Sequence, residues 1–264
     1  MRKNCHILTD HNDAFQLAMM TAIGDRADQQ DYFGFLLKKQ EGLLVICDGM
    51  GGYAAGSLAS ETAVRRMLSG YMQQPDHYDP NRYLQTMAQA ANHDICAFTD
   101  DKGNRLESGS TLTAVIIRGR SLHWVSVGDS RAYLSRNKEF AQITQDHNYL
   151  TVLNSRRNAG VIEDSEFENQ LRKKDHLISF LGIGPDMLVD HNIKSLQLRL
   201  GDQILLVTDG LYRILEDEEI FRILQSHTSM EDALEELEQT AAETAGMRGQ
   251  MRDNMTIVLA KIIQ

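Results

Sequence analysis

Cysteine, proline and tryptophan are scarce in this 264-residue chain, at three, three and one residues. Cys5, Cys47 and Cys96 form no C-x-x-C pair and are odd in number, which excludes a disulfide framework and a cysteine zinc site. They read as small buried hydrophobes, and a reducing cytoplasm is the expected compartment. None of Pro75, Pro80 and Pro185 lies in a Gly/Ser-rich linker, and no repeat of fixed period occurs. The expectation is therefore one domain over residues 1–264. Basic residues are also short: 27 Lys plus Arg against 37 Asp plus Glu leave a net charge of −10, which excludes a nucleic-acid binder held by phosphate contacts. The longest apolar runs, 43–47 and 204–207, fall far below the roughly 18 residues of a membrane span. The first residues, with Asn4, His6, Thr9, Asp10 and His11, contain no apolar stretch for a signal peptide. With 42% hydrophobic and 24% charged residues, the composition is that of an ordinary globular protein.

Periodicity gives an order of elements. Short strands are expected at 17–23, 32–37 and 43–47. A helix pair follows, one carrying Ala63, Val64, Met67, Leu68 and Tyr71 on a single stripe, the other Leu84, Met87, Ala88, Ala91, Ile95 and Phe98. Strands at 111–117, 122–127 and 131–134 read as consecutive antiparallel neighbours around a tight turn at 118–120. Residues 146–190 read as a helix and an irregular, charged excursion. Strands return at 191–198 and 203–208, then a helix at 217–224 and another opening at the capping box Thr228-x-x-Glu231. A β-branched strand at 254–261 closes the chain. Strands in blocks and helices in pairs do not alternate as in a doubly wound sheet. The expected class is α+β, a four-layer αββα sandwich of two antiparallel sheets flanked by helix pairs.

Two segments share a pattern: an apolar run ending Asp48-Gly49, and another ending Thr208-Asp209-Gly210. Asp-Gly after a strand is a common hairpin signal, but no second strand follows at once in either place, which weakens that reading. Asp31 and Asp253 each immediately precede a strand. If these four strand ends converge, the acids repel one another and raise their own pKa values unless a cation sits among them. All-oxygen donors select hard ions, Mg²⁺ or Mn²⁺ over zinc. A water shared by two such ions becomes a nucleophile near neutral pH.

Seven motifs then follow in order: Arg26-x-x-Gln29-Gln30-Asp31, Asp48-Gly49-Met50-Gly51-Gly52, Ser108-Gly109-Ser110-Thr111, Gly128-Asp129-Ser130-Arg131, Asp146-His147, Thr208-Asp209-Gly210 and Asp253-Asn254. Together they resemble the metal-dependent PP2C (PPM) family of protein serine/threonine phosphatases, in its compact bacterial form. The resemblance implies a centre of two Mn²⁺ or Mg²⁺ ions and direct attack of a metal-bridging hydroxide on phosphoserine or phosphothreonine. It implies Asp48 as bridging carboxylate, the Gly49 carbonyl as a second-metal ligand, Asp209 and Asp253 on the first metal, Asp31 orienting metal-bound water, and Arg26 binding phosphate. Residues 150–190 match the family's variable flap. Phosphorylated proteins are the implied substrates, with a Ser/Thr kinase as a candidate counterpart and a monomer as the expected state.

Three departures stand out. Gln29 and Gln30 occupy positions where the family often has Asn and Glu, which predicts a weaker second metal. Met50 stands where many members carry a histidine, so the general acid is unassigned. Arg213 stands where the family often has a further acid, which puts a third metal at Asp129 in doubt; Asp129 reads equally well as a buried turn residue. None of the nine histidines forms a zinc pair. Two rival functions stay open: hydrolysis of a small phosphomonoester, and a catalytically weak or silent regulator that binds phosphoproteins.

Overall fold

The computed structural model describes residues 5–52 and 55–264; Met1 to Asn4 and Tyr53, which follows the Asp48 motif, lie outside the described residues. Thirteen strands and seven α-helices occur in the described residues. The first half runs β1 Cys5–His11, β2 Phe15–Ala22, β3 Asp31–Leu37, β4 Glu41–Gly51, α1 Ala55–Met72, α2 Pro80–Cys96, β5 Ser108–Ser110, β6 Leu112–Arg118 and β7 Ser121–Val127. The second runs β8 Arg131–Arg136, β9 Glu139–Gln142, α3 Tyr149–Asn158, α4 Asp164–Gln170, β10 Asp190–His191, β11 Leu196–Gln197, β12 Gln203–Val207, α5 Asp209–Tyr212, α6 Asp217–Ser226, α7 Met230–Arg248 and β13 Met255–Ile262.

One sheet has the order β1-β2-β13-β12-β8-β9; the other runs β10-β7-β6-β4-β3, with β11 on β7 and β5 on β4. All pairings are antiparallel. The central strands read as unbroken apolar runs because both of their faces are covered. In β4, Leu44 and Ile46 face the opposite sheet while Leu43, Val45 and Cys47 face α1 and α2. In β12, Ile204 and Leu206 point between the sheets, and Leu205 and Val207 pack under α5, α6 and α7. This alternation builds the four-layer αββα sandwich. The helix stripes meet it, with Ala63, Val64, Met67 and Tyr71 buried on α1 and Leu84, Ala88, Ala91 and Ile95 buried on α2.

The structure departs from the sequence expectations at several elements. The polar N-terminal segment forms β1, an edge strand paired along its whole length with β2. Exposed polar residues such as His6, Thr9 and Asp10 suit an edge that faces water. Strand β8 joins β12 rather than continuing from β7, so the chain changes sheet at Gly128-Asp129-Ser130. The expected strand at 191–198 is reduced to the short β10 and β11. Strand β4 does not end at Cys47 but runs through Asp48 to Gly51, paired with β5. The cap of α7 is Ser229, whose hydroxyl accepts from the Asp232 N–H at 3.1 Å, one residue beyond the expected box. Residues 149–173 hold α3, α4 and a 3₁₀ turn around a small core of Leu153, Ile162 and Phe167.

Leu206 is fully buried between the sheets. Replacing it with alanine is expected to cost about 2–5 kcal/mol, read as a lower urea midpoint with an unchanged slope.

Candidate metal centre

In an antiparallel pair, the end of one strand lies beside the start of its partner. Asp31 begins β3 and faces Asp48 near the end of β4 as its direct cross-strand partner. In the other sheet Val207, the last residue of β12, pairs with Ile257 of β13, which places Asp209 and Asp253 beside each other. Because β13 also packs against β3 and β4, both pairs of ends share one rim of the sandwich. A cleft of about 540 Å³ opens there, lined by Arg26, Asp48, Gly49, Asp129, Asp209 and Asp253, with Gln30, Asp175 and Arg213 completing its polar wall. Asp31 lies beneath, 4% exposed.

Each acid is held by a named neighbour. The Thr208 hydroxyl donates to Asp31 Oδ2 at 2.8 Å and itself accepts from the Thr256 N–H at 2.9 Å, which ties Asp31 to β12 and β13. The Asp48 N–H donates to Thr111 Oγ1 at 2.8 Å. Asn254 donates to the carbonyls of Ile23 and Asp28 at 2.9 and 3.1 Å and accepts from the Gln30 N–H at 2.7 Å. This staples the loop that carries Arg26 to the strand start that carries Asp253. Thr208, Thr111 and Asn254 are positioning residues that the motif reading quoted without assigning a task; the signal was their adjacency to the acids.

The two glycines of the Asp-Gly pairs are explained by close packing, not by turns. Neither has positive φ. A Cβ on Gly49 would lie 2.1 Å from the Gly56 carbonyl oxygen, and one on Gly210 would lie 2.0 Å from that of Asn254. The hairpin reading fails in both places because the backbone runs on into strand or helix while another backbone presses against it.

Burial dominates the electrostatics. It pushes the Asp31 carboxyl up to about 7, with the charges of Asp209 and Asp253 adding to the rise and the Thr208 and Thr256 hydroxyls opposing it. Burial likewise takes Asp209 up to about 6 against the opposing Arg213 guanidinium. Asp48 is raised well above the carboxylate range by burial and by Asp209, Asp31, Asp129 and Asp253. Two arginines brace the cluster: Arg26 pairs with Asp253 at 2.5 Å, and Arg213 spans Asp129 and Asp209 at 3.0 and 2.8 Å. Among the described residues no three His, Cys, Asp or Glu side chains stand close enough together to wrap an ion in this arrangement. The donor chemistry nevertheless fits a hard cation. Asp31 Oδ1 and Asp209 Oδ1 are buried without a hydrogen-bond partner, a costly condition that a cation relieves.

Other expected residues fall elsewhere. Gln29 is turned into the fold, donating to Thr21 Oγ1 at 2.8 Å, whereas Gln30 lines the cleft. His147 does not line the cleft; its Nδ1 accepts from the Gly128 N–H at 3.2 Å, and burial lowers its pKa, so it braces the turn bearing Asp129. Asp146 holds Arg131 at 2.8 Å.

The sign of the pH effect follows from these shifts. Unfolded aspartates titrate near about 3.9, while folded, metal-free Asp31 and Asp209 hold their protons up to about 7 and about 6. The folded chain then binds more protons than the unfolded one within that window, so their contribution to stability is lost as pH rises through it. Asp31→Asn is expected to raise the metal-free melting temperature at about pH 8 and to change it little near pH 5. Equal shifts at both values would remove the buried charge of Asp31 as the cause.

Residues 21–256 match the family model described as "Protein phosphatase 2C". The chain is 32% identical over 221 residues to the serine/threonine protein phosphatase PstP of Mycobacterium tuberculosis, covering 84% of this chain and 40% of that protein's length. It is 28% identical over 251 residues to the protein phosphatase PhpP of Streptococcus pneumoniae, covering 94% and 97% of the two chains. The crystal structure of M. tuberculosis PstP superposes with a TM-score of 0.77 at 28% identity, over 95% of this chain and all of that one. The PstP catalytic domain solved in complex with two manganese ions gives 0.75 at 27% identity, over 95% and 99%. With the αββα sandwich and the acidic rim already in place, a match of this extent means that the chain belongs to the protein phosphatase 2C family.

Proposed function

We propose that this chain is a Mn²⁺- or Mg²⁺-dependent phosphatase that hydrolyses phosphoserine and phosphothreonine in proteins. The observation that carries the reading is the rim itself: Asp48, Asp209 and Asp253 line one cleft with Asp31 buried beneath it, and Asp31 and Asp209 each keep a buried oxygen without a partner. The donor set for the ions is Asp48, the Gly49 carbonyl, Asp209 and Asp253. Bound there, two such ions supply Lewis-acid polarisation of the phosphoryl group and an activated water.

The chain's own groups do the rest. Arg26 is half exposed at the mouth of the cleft. Its pair with Asp253 is a surface ion pair, worth about 0–1 kcal/mol, so its fork is free to turn to two phosphoryl oxygens. Asp31, held by the Thr208 hydroxyl, is the acid that would orient metal-bound water in this reading. Among the described lining residues no free hydroxyl, thiol or imidazole competes as nucleophile. The described residues lining the cleft include no Ser, Cys or His, and the Thr111 hydroxyl is committed to the Asp48 N–H and to Ser130 at 2.7 Å. Burial raises the nearby Cys47 thiol far above neutrality. Direct attack of water, without a phosphoenzyme, is the mechanism that this lining supports.

The names of PstP and PhpP support a phosphoprotein substrate. The reading takes residues 1–264 as a single phosphatase domain, with the segment near 150–190 as a flap; Asp175 and Leu177 at the cleft wall support that role. Cytoplasmic placement, a monomeric state and a Ser/Thr kinase as counterpart belong to the same proposal. Among the described residues no helix is long and apolar enough to cross a membrane.

With a phosphothreonine peptide and Mn²⁺, turnover is expected to vanish on adding EDTA and in Asp209→Ala. Turnover that survives both would sink the proposal. A panel in which small phosphomonoesters outpace every phosphopeptide would move the assignment to a metabolite phosphatase. Arg26→Ala is expected to lower kcat/KM roughly ten- to a hundredfold, the worth of a charged hydrogen-bond pair, with Mn²⁺ binding retained.

A further inference from the structure

Arg213 is one of the three departures from the family resemblance, and the structure gives it a definite occupation. It caps the short helix α5 one turn beyond Asp209. One guanidinium nitrogen, Nη1, meets Asp209 Oδ2 at 2.8 Å, and the other, Nη2, meets Asp129 Oδ2 at 3.0 Å. The two carboxylates are 9% and 4% exposed, so both are nearly removed from water, and the guanidinium lies between them. Exposed Asp175, which also lines the cleft, adds its charge to the same guanidinium. The neighbouring Tyr212 ring is packed against Arg131, whose guanidinium carbon is 3.7 Å from the ring centre. Arg131 is in turn anchored on Asp146.

The two acids are used differently. Asp209 gives Oδ2 to Arg213 and keeps a buried Oδ1 with no partner. Asp129 gives Oδ2 to Arg213 at 3.0 Å. A guanidinium keeps its charge at any working pH and matches carboxylates with a planar fork. A divalent ion bound to Asp129 would need oxygens at about 2.0–2.6 Å in the place where this fixed positive charge already stands.

We propose that Arg213 is a built-in cation: it neutralises Asp129 and Asp209, aims Asp209 Oδ1 at the metal centre, and keeps any further divalent ion from Asp129. This rests on reading the cleft as a metal centre, and makes Arg213 a positioning residue, since it acts through Asp209. Asp129 in this chain is then a partner of Arg213 and not a metal ligand.

Bound metal, counted by mass spectrometry after metal-free protein is dialysed against Mn²⁺, tests this without an activity assay. Wild type and Asp129→Asn are expected to bind the same number of ions. Arg213→Asp is expected to bind one more, and Arg213→Asp combined with Asp129→Asn to return to the wild-type number. Should Arg213→Asp fold poorly before loading, Arg213→Ala frees Asp129 without adding an acid and is expected to shift the count in the same direction. An ion present in wild type and lost in Asp129→Asn overturns the proposal while leaving the metal centre standing. A wild type that takes up no Mn²⁺ overturns the metal centre, and the role of Arg213 within it. The pairing has its own test in EDTA: in a double-mutant cycle of Arg213→Gln and Asp129→Asn, the change in melting temperature of the double variant should differ clearly from the sum of the two single changes. Additive changes would overturn it.

Discussion

Mutual repulsion among carboxylates that have been taken out of water is the constraint on which this molecule turns. Asp31 and Asp48 are direct cross-strand partners, an arrangement that destabilises a sheet unless something compensates for it. Asp129 and Asp209 are nearly buried on the adjoining walls. Four-layer packing leaves these groups little water, so their charge must be met by protons, by arginines or by metal ions. The structure displays the second remedy in Arg26 and Arg213 and the need for another in the unpartnered oxygens of Asp31 and Asp209. A rim that is costly without cations is thereby suited to binding them, and a stability penalty becomes affinity.

The cost is bearable because the scaffold around the rim is stiff. Three buried clusters fill the spaces between the four layers, one between the sheets and one under each helix layer. Backbones approach so closely at Gly49 and Gly210 that no side chain fits. Thr208, Thr111 and Asn254 then clamp the acids or their strands from behind. The acids cannot relax apart without breaking hydrogen bonds that are buried or partly buried. That is how a fold holds like charges together before a ligand arrives, the preorganisation that electrostatic catalysis requires.

Much of this was legible along the chain and some was not. Helix stripes such as Ala63, Val64, Met67 and Tyr71 announce themselves because a period of 3.6 leaves one face apolar. Buried strands such as 43–47 and 203–208 stand out as short apolar runs between turns. The edge strand β1 was invisible to that search, since an edge facing water lacks an apolar run and gains its backbone partners only from β2. The exchange of sheets between β7 and β8 was hidden for a related reason: a three-residue connection reads as a hairpin whichever sheet the next strand joins. The cap of α7 slipped by one residue because Thr228 and Ser229 are both good caps, and only the backbone decides between them.

From the residues alone came the fold class and a set of acids at strand ends whose chemistry asks for hard cations, because composition and periodicity report what must be buried and what resists burial. Tertiary structure decided which strand ends meet, that Asp31 lies below the cleft while Arg26 and Asp253 pair at its mouth, that Gln29 turns inward, and that Arg213 spans Asp129 and Asp209. Those are outcomes of strand pairing and layer packing between residues as much as 227 positions apart in sequence. Local pattern carries no record of such distances, and the balance of charge in the cleft exists only once they have closed.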